Sequence, residues 1–275
     1  MAIKVSGTIV IDDSSNLKNL TSIEQGLNIL SDARVFATSS IALGSLAAPS
    51  ATGARSVYIG YDAGNDVTDA GDNAFVGYQA GDLNTTGYSN TYIGSRCGDT
   101  NTNTFFNTAV GADAEAEGIA AVAVGKSSDA GHQNSVVIGW SSLSTAINQI
   151  TLGNASHTVL RCNATTITAL SDERDKTNIA PVKAGLDFVN RLNPVDFVWN
   201  TRDGARVDQS DIGFIAQDLQ KVQEDTGITI PYLVSDVVED KLEASYGKLL
   251  PVMVQAIKDL SAKVEELEQL LQEKE

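Results

Sequence analysis

Short stretches of alternating apolar and polar residues recur along the first part of the chain, and each one ends in an apolar residue followed by glycine. This dipeptide occurs eight times, at Leu43-Gly44, Ile59-Gly60, Val76-Gly77, Ile93-Gly94, Val110-Gly111, Val124-Gly125, Ile138-Gly139 and Leu152-Gly153. Successive glycines are separated by 16, 17, 17, 17, 14, 14 and 14 residues. Alternation with period two predicts a short β-strand before each glycine, and the glycine permits a turn with positive φ.

Small residues hold a fixed register around these glycines. Three residues after each glycine stand Ala47, Ala63, Ala80, Cys97, Ala114, Ser128, Ser142 and Ser156. Four residues before it stand Ser40, Ser56, Asn73, Asn90, Asn107, Ala121, Ser135 and Gln149. A repeat of this length leaves no room for an interposed helix. It therefore predicts a solenoid of eight β-coils over residues 40–155, with coils stacked about 4.8 Å apart.

A coil this thin buries little apolar surface, which favours several chains packed around one axis. Residues 1–39 do not repeat, and we interpret them as an N-terminal attachment or capping segment. Thr8–Ile11 is typical of a strand, and Asp12–Asn16 of a turn. Leu17, Leu20, Ile23, Leu27 and Leu30 have helix-like spacing, although Gly26 interrupts them.

The composition changes near Leu170–Ser171. Residues 1–170 hold 7 basic and 14 acidic residues, whereas residues 171–275 hold 12 and 21. The C-terminal end has a heptad pattern formed by Tyr246, Leu250, Met253, Ile257, Leu260, Val264, Leu267 and Leu271. This pattern predicts a coiled-coil helix from about residue 245 to 272. The alternative is a helix packed on the core of its own domain, and the mixed seam does not fix the number of strands.

Two stretches of the repeat resemble a known family. Residues 107–118, Asn-Thr-Ala-Val-Gly-Ala-Asp-Ala-Glu-Ala-Glu-Gly, and residues 135–139, Ser-Val-Val-Ile-Gly, are similar to the head repeats of trimeric autotransporter adhesins. The resemblance implies a left-handed parallel β-roll built as a homotrimer. The units of 17 residues are longer than that family's usual unit and imply a longer loop at one corner.

Residues 171–275 carry a second, more specific resemblance. The segment contains Ser-Asp-Glu-Arg-Asp-Lys at 171–176, Leu-Asn-Pro-Val-Asp-Phe-Val-Trp-Asn at 192–200, Ile-Gly-Phe-Ile-Ala-Gln-Asp-Leu at 212–219 and Ser-Tyr-Gly-Lys-Leu-Leu at 245–250. In this order the motifs resemble the C-terminal intramolecular chaperone of phage tailspikes and tail fibres, as in endosialidases and neck appendages. The expected fold is a mainly β solenoid, a linker at 156–170, and an α+β chaperone domain ending in a long coiled-coil helix.

The second resemblance implies that the chaperone trimerises the fibre and then cuts the chain between Leu170 and Ser171. Ser171 would be the nucleophile and Lys176 the base, with Asp172 in support. A serine hydroxyl can reach its own preceding carbonyl, so proximity is built into the chain. The hydroxyl needs a base, and lysine can serve where burial lowers its pKa. The alternative is that Ser171 and Asp172 form an ordinary helix or turn cap. The activity would be at most one self-cleavage per chain by a Ser-Lys dyad.

Charge and composition exclude several classes of protein. The net charge of −16 argues against nucleic-acid binding, and no apolar stretch is long enough to cross a bilayer. We expect no export signal, disulfide framework, cofactor or metal. The spacing of Asp62, Asp66, Asp69 and Asp72 does not fit a calcium loop, and His132 and His157 are isolated. We interpret Cys97 as a buried thiol and Trp140 as a core or rim residue, with carbohydrate binding by Trp140 as the alternative.

These observations together predict a homotrimeric tail fibre of a phage or phage-like particle. The N-terminus would dock on a tail or baseplate protein, and the free end would bind a host surface receptor, expected to be a glycan. The fibre would be made in the host cytoplasm and reside in the virion. Two alternatives remain at this point: a short tailspike that degrades host polysaccharide, and a trimeric adhesin of a bacterial surface.

Overall fold

A computed structural model describes residues 3–5, 8–11, 33–36, 39–163, 167–238 and 241–274. The chain divides into two compact units, Met1–Asn154 and Ala155–Glu275. Near the N-terminus, β1 (Ile3–Val5) pairs antiparallel with β2 (Thr8–Ile11), the strand expected from the sequence. The helix-like pattern over residues 17–30 lies outside the described residues.

The first unit contains a nine-stranded sheet. β3 (Ala33–Phe36) is antiparallel to β4 (Ser40–Leu43), and all later neighbours are parallel. The later strands are β5 (Val57–Ile59), β6 (Ala74–Val76), β7 (Thr91–Ile93), β8 (Thr108–Val110), β9 (Val122–Val124), β10 (Val136–Ile138) and β11 (Ile150–Leu152). Each strand from β4 to β11 lies beside the next in chain order. Seven turns therefore connect these eight strands, and the predicted β-solenoid is confirmed.

The interior of the solenoid is filled from two positions of each repeat. In each strand from β4 to β10, the residue two positions before the glycine is fully buried: Ala42, Tyr58, Phe75, Tyr92, Ala109, Ala123 and Val137. The small residue three positions after the glycine is also buried in the first seven repeats, from Ala47 to Ser142. From β5 to β10, the predicted alternation therefore places one side chain of each strand inside and its two neighbours towards the surface.

The longer coils differ from the shorter ones in what fills them. Coils of 17 residues contain Tyr58, Phe75 and Tyr92 at the buried strand position, and the ring centroids of Phe75 and Tyr92 lie 4.9 Å apart. A glycine six residues later packs against each ring, and a Cβ on Gly64 would lie 2.7 Å from the Tyr58 ring. The extra residues thus widen the coil enough to hold an aromatic side chain.

The turn after each strand needs glycine for two reasons. φ at Gly44 is +126°, a value that residues with a side chain rarely adopt. A Cβ at that position would also lie 2.5 Å from the carbonyl oxygen of Gly60 in the next coil. The same contact recurs along the stack, so the repeated glycine sets how closely the coils approach each other.

A ladder of buried polar side chains links successive coils. The N–H of Ser56 donates to Ser40 Oγ (3.1 Å), and the N–H of Asn73 donates to Ser56 Oγ (3.1 Å). The ladder continues through asparagine Oδ1 atoms, which accept from the N–H groups of Asn90 (2.9 Å), Asn107 (3.0 Å) and Ala121 (2.9 Å). These bonds satisfy backbone groups that lie away from water.

The second unit combines helices with two antiparallel hairpins. Its elements are α1 (Leu186–Arg191), β12 (Pro194–Asn200), β13 (Val207–Phe214), α2 (Ala216–Thr226), β14 (Val234–Val238), β15 (Lys241–Ala244) and α3 (Leu249–Gln272). Its core consists of Ala184, Phe188, Leu219, Val222, Leu233, Leu249 and Val252. This is the predicted α+β region ending in a long helix. Across the described residues, no helix combines the length and apolarity that a membrane span requires.

Candidate functional site

The predicted dyad lies at the first described secondary-structure element of the second unit. Residues 167–170 have no regular secondary structure, and Leu170 is 86% exposed. A single turn of 3-10 helix then spans Glu173–Asp175. The N–H of Lys176 donates to the Glu173 carbonyl (3.0 Å), which ends the turn. The chain therefore reverses direction immediately after the Leu170–Ser171 bond.

This turn brings the two predicted site residues together. Lys176 Nζ lies 2.7 Å from Ser171 Oγ and 3.0 Å from the Ser171 carbonyl oxygen. The first distance is that of a direct hydrogen bond between an amine and a hydroxyl. A neutral amine at this position could accept the hydroxyl proton as the oxygen becomes a nucleophile.

Asp172 stabilises the turn itself. Its Oδ1 accepts from the Arg174 backbone N–H (2.9 Å) and from Arg174 Nε (3.0 Å), and its Oδ2 accepts from Arg174 Nη2 (2.6 Å). The side-chain and then the backbone hydrogen bonds from Arg174 lower the pKa of the Asp172 carboxyl. The carboxylate is therefore a turn cap, the alternative weighed from sequence, and the same turn brings Lys176 to Ser171. Arg174 was not singled out from sequence, although its place within the charged hexapeptide was a usable signal.

Solvent reaches the dyad in the single chain, since Ser171 and Lys176 are both exposed. The burial that we expected around the lysine is therefore not supplied by the described residues of one chain.

The contacts and exposure of the other residues considered from the sequence are as follows. Arg55 donates two hydrogen bonds to Asp72 (2.6 and 2.7 Å). His132 Nδ1 lies 3.0 Å from Ser144 Oγ. Cys97 is buried, which raises the pKa of its thiol to about 12. Trp140 is 61% exposed on the solenoid surface. Within the described ranges, no three His, Cys, Asp or Glu residues form a group that could hold a metal ion.

A cluster of carboxyl groups on the solenoid was missed by sequence reasoning. Thr100 Oγ1 lies 2.8 Å from Glu115 Oε2 and 3.0 Å from Glu117 Oε1. Burial, and next a side-chain hydrogen bond with Asp99, raise the pKa of Glu115 to about 8. Burial and nearby aspartates likewise raise the pKa of Asp82 to about 6. These acidic residues come from different coils, so the sequence register alone did not reveal their proximity.

Two apolar surfaces are exposed on the single chain. On the solenoid, the strand residues on either side of the inward-facing position include the exposed Ile41, Ile59, Ile93 and Ile138, and Ile150 and Leu152 of β11 are also exposed. All eight residues of the predicted heptad seam are exposed, from Tyr246 at 42%, just before α3, to Leu271 at 66%, near the end of α3. The domain core instead contacts Leu249, Val252 and Ala256, on a different side of the helix. The first half of α3 therefore packs on its own domain through residues outside the seam. Tyr246, the first seam residue, also contacts this domain, since its hydroxyl bonds to the N–H (3.1 Å) and the carbonyl (3.0 Å) of Phe214.

Comparison with known proteins finds a family match in the second unit. Residues 171–228 match the family described as "Chaperone of endosialidase". The match begins at Ser171, the first residue after the predicted cleavage bond.

Similar proteins include the "Long tail fiber protein Gp37" of Enterobacteria phage K3 and of Enterobacteria phage T2, each 33% identical over 113 residues. That stretch covers 40% of this chain and 8% of either relative, so the chain matches only a small part of them. No solved structure matches the chain. The segment that follows the β-solenoid is thus similar to the chaperone-of-endosialidase family, and part of the chain is similar to phage long tail fibres. The resemblance recognised from the second unit's motifs is confirmed.

Proposed function

We propose that this chain is a phage tail-fibre protein whose C-terminal domain acts as an intramolecular chaperone, trimerises the fibre and then releases itself by self-cleavage. The observation that carries the cleavage is the 2.7 Å separation of Lys176 Nζ and Ser171 Oγ beside the Leu170–Ser171 bond. The match to tail fibres supports the class of protein. The domains are proposed as an attachment segment at 1–39, a solenoid at 40–155, a linker at 156–170 and the chaperone at 171–275.

The proposed reaction uses only groups of the chain and water. Ser171 Oγ attacks the Leu170 carbonyl carbon, and Lys176 accepts the hydroxyl proton. The C–N bond to Ser171 breaks as its nitrogen takes up a proton, which leaves the Leu170 acyl group on Oγ as an ester. Water hydrolyses the ester, yielding a Leu170 carboxylate and a free α-amino group on Ser171.

Trimerisation is supported by the two apolar surfaces. The exposed seam on α3 has the spacing of a coiled-coil stripe, and self-association would remove it from water. Contact with neighbouring chains would likewise remove the exposed isoleucines along the solenoid from water. Assembly would also bring groups of neighbouring chains near the exposed Lys176, which links cleavage to completion of the trimer.

Host attachment completes the proposal. The N-terminal segment would fix the fibre to a tail or baseplate protein, and loops of residues 107–155 would contact a host glycan. Weak single contacts would be reinforced by three-fold repetition. Exchanging residues 107–155 with those of a related fibre should change host range, whereas exchanging residues 1–39 should change incorporation into particles.

Self-cleavage is tested with the full chain. Wild-type protein should separate into residues 1–170 and 171–275 without added protease, as measured by intact mass. Ser171→Ala should abolish cleavage, and Lys176→Ala should slow it strongly. Ser210→Ala serves as a matched control, because Ser210 is an exposed serine on β13 of the same domain. If wild-type chain remains whole after prolonged incubation as a trimer, Ser171 is not a working nucleophile.

A further inference from the structure

The reach of Lys176 to Ser171 depends on the intervening turn. In extended chain, residues five positions apart are separated by about 17 Å. Here the 3-10 turn Glu173–Asp175 folds the segment back, but it contains no buried residue. The turn is therefore not anchored by its own hydrophobic packing, and its shape depends on polar contacts.

The side-chain contacts within the turn converge on one carboxylate. Asp172 accepts three N–H groups, and all three belong to Arg174. Two of them come from the guanidinium in a side-on arrangement that only arginine offers. The Arg174 side chain is 89% exposed, so the pair adds little to global stability. Its effect is instead local, because it holds Asp172 in the orientation that caps the turn.

We propose that Arg174 is a positioning residue for self-cleavage, which acts through Asp172 to keep Lys176 within hydrogen-bond distance of Ser171. The proposal rests on the proposed self-cleavage and adds to it a residue that does not touch the reacting atoms. The guanidinium fixes the carboxylate, the carboxylate caps the turn, and the turn places the amine. Small displacements of a catalytic group can lower a rate by orders of magnitude, so a weak contact can have a large kinetic effect.

The test measures the cleavage rate of full-length variants. Arg174→Ala removes the guanidinium and should slow cleavage by about tenfold or more. Arg174→Lys keeps the charge without the side-on fork and should give an intermediate rate. Asp172→Asn keeps an oxygen for the Arg174 backbone N–H while it loses the carboxylate charge. The double variant that combines Asp172→Asn with Arg174→Ala should be cleaved no more slowly than the slower of the two single variants, because both changes break the same contact.

The matched control is Arg191→Ala. Arg191 also forms an exposed pair with an aspartate of this domain, Asp187, at 3.1 Å. The Arg191→Ala variant should be cleaved at the wild-type rate. Both arginine variants should unfold at the wild-type urea midpoint. A wild-type cleavage rate in Arg174→Ala would overturn the positioning role. So would an equal loss of rate in Arg191→Ala, since any lost surface pair would then suffice.

A second measurement separates this role from the chemistry. In Ser171→Ala protein the Lys176 amine retains the backbone carbonyl at position 171 as a partner, so acetic anhydride should label it more slowly than the exposed Lys183. Adding Arg174→Ala should remove that protection, as read by peptide mass spectrometry. If wild-type chain is never cut but this change in labelling is seen, the positioning stands and the self-cleavage fails. Unchanged labelling together with an absence of cleavage would overturn both.

Discussion

The Asp259 carboxylate on α3 accepts a hydrogen bond from the backbone N–H of Leu186, at a distance of 2.9 Å. Leu186 is the first residue of α1, so the long helix supplies the N-terminal cap of a helix 73 positions earlier in the chain. Gln255 Nε2 donates to the other carboxylate oxygen (2.8 Å). A Cβ on Gly185 would collide with Asp259, which explains the glycine directly before α1.

Removing this cap should weaken the second unit. Asp259→Ala leaves the Leu186 N–H without its acceptor, and Gly185→Ala forces the carboxylate away. Both variants should lower the urea midpoint of the domain, as followed by circular dichroism. Glu265→Ala, on an exposed position of the same helix, is the control and should leave the midpoint unchanged. If all three variants unfold alike, the contact contributes nothing to stability.

The buried asparagines of the ladder should contribute more to the stability of the solenoid than exposed asparagines do. In Asn90→Ala, the N–H of Asn107 and the carbonyl of Thr104 lose the partners that they have at 3.0 and 2.7 Å. An unsatisfied buried group costs about 1–3 kcal/mol, so the melting temperature of the solenoid should fall. Asn103→Ala, at an exposed position, should have a smaller effect. Equal shifts in calorimetry would show that the ladder is not a source of stability.

The exposed seam of α3 should determine the oligomeric state. Replacing Leu260 and Leu267 with aspartate puts charges into the proposed chain contact, so the sedimenting mass should fall below that of a trimer. The control replaces Lys263 and Glu266 with serine, because these residues lie outside the seam. A wild-type chain that sediments as a stable folded monomer would contradict the proposed trimer.

The carboxyl cluster on the solenoid should make its stability depend on pH. Because its folded pKa of about 8 is raised above the unfolded value, Glu115 binds a proton more tightly when folded. The contribution of Glu115 to stability should therefore be greatest in acid, should fall as the pH rises from about 4 towards 8, and should level off above that. Glu115→Gln should flatten this slope in urea titrations, whereas Asp69→Asn should retain it. A slope of the opposite sign would mean that the cluster is ionised in the folded state.

The solenoid was predictable from the sequence because small residues recur at fixed positions in each repeat. Glycine, alanine and serine at fixed offsets leave few ways to stack a coil, and the buried positions of Ala63 and Ala114 followed directly. The aromatic filling of the longer coils was not foreseen. Its signal was present, however, as Tyr58, Phe75 and Tyr92 each followed by a glycine six residues later.

The site could be predicted only in part. The motif indicated Ser171 and Lys176 and required a turn between them, but several charges in the hexapeptide could have paired with Asp172. Which pair forms depends on the backbone of the turn, and that is a property of three-dimensional geometry. The exposure of Lys176 also could not be read from the sequence, since burial depends on what packs nearby.

The asparagine ladder ends within the solenoid, at Ala121, and this affects how the solenoid should respond to pulling. The Ala121 N–H donates the last hydrogen bond of the ladder, and the alanine side chain has no oxygen that could accept the next one. The corresponding N–H of the following coil, that of Ser135, therefore donates to the His132 carbonyl instead. The aromatic filling ends earlier, at Tyr92, because Ala109, Ala123 and Val137 hold the later core positions. The coils after Ala121 therefore lack both the ladder and the aromatic rings. We expect a solenoid pulled along its stacking direction to open first in these coils, leaving the aromatic coils intact.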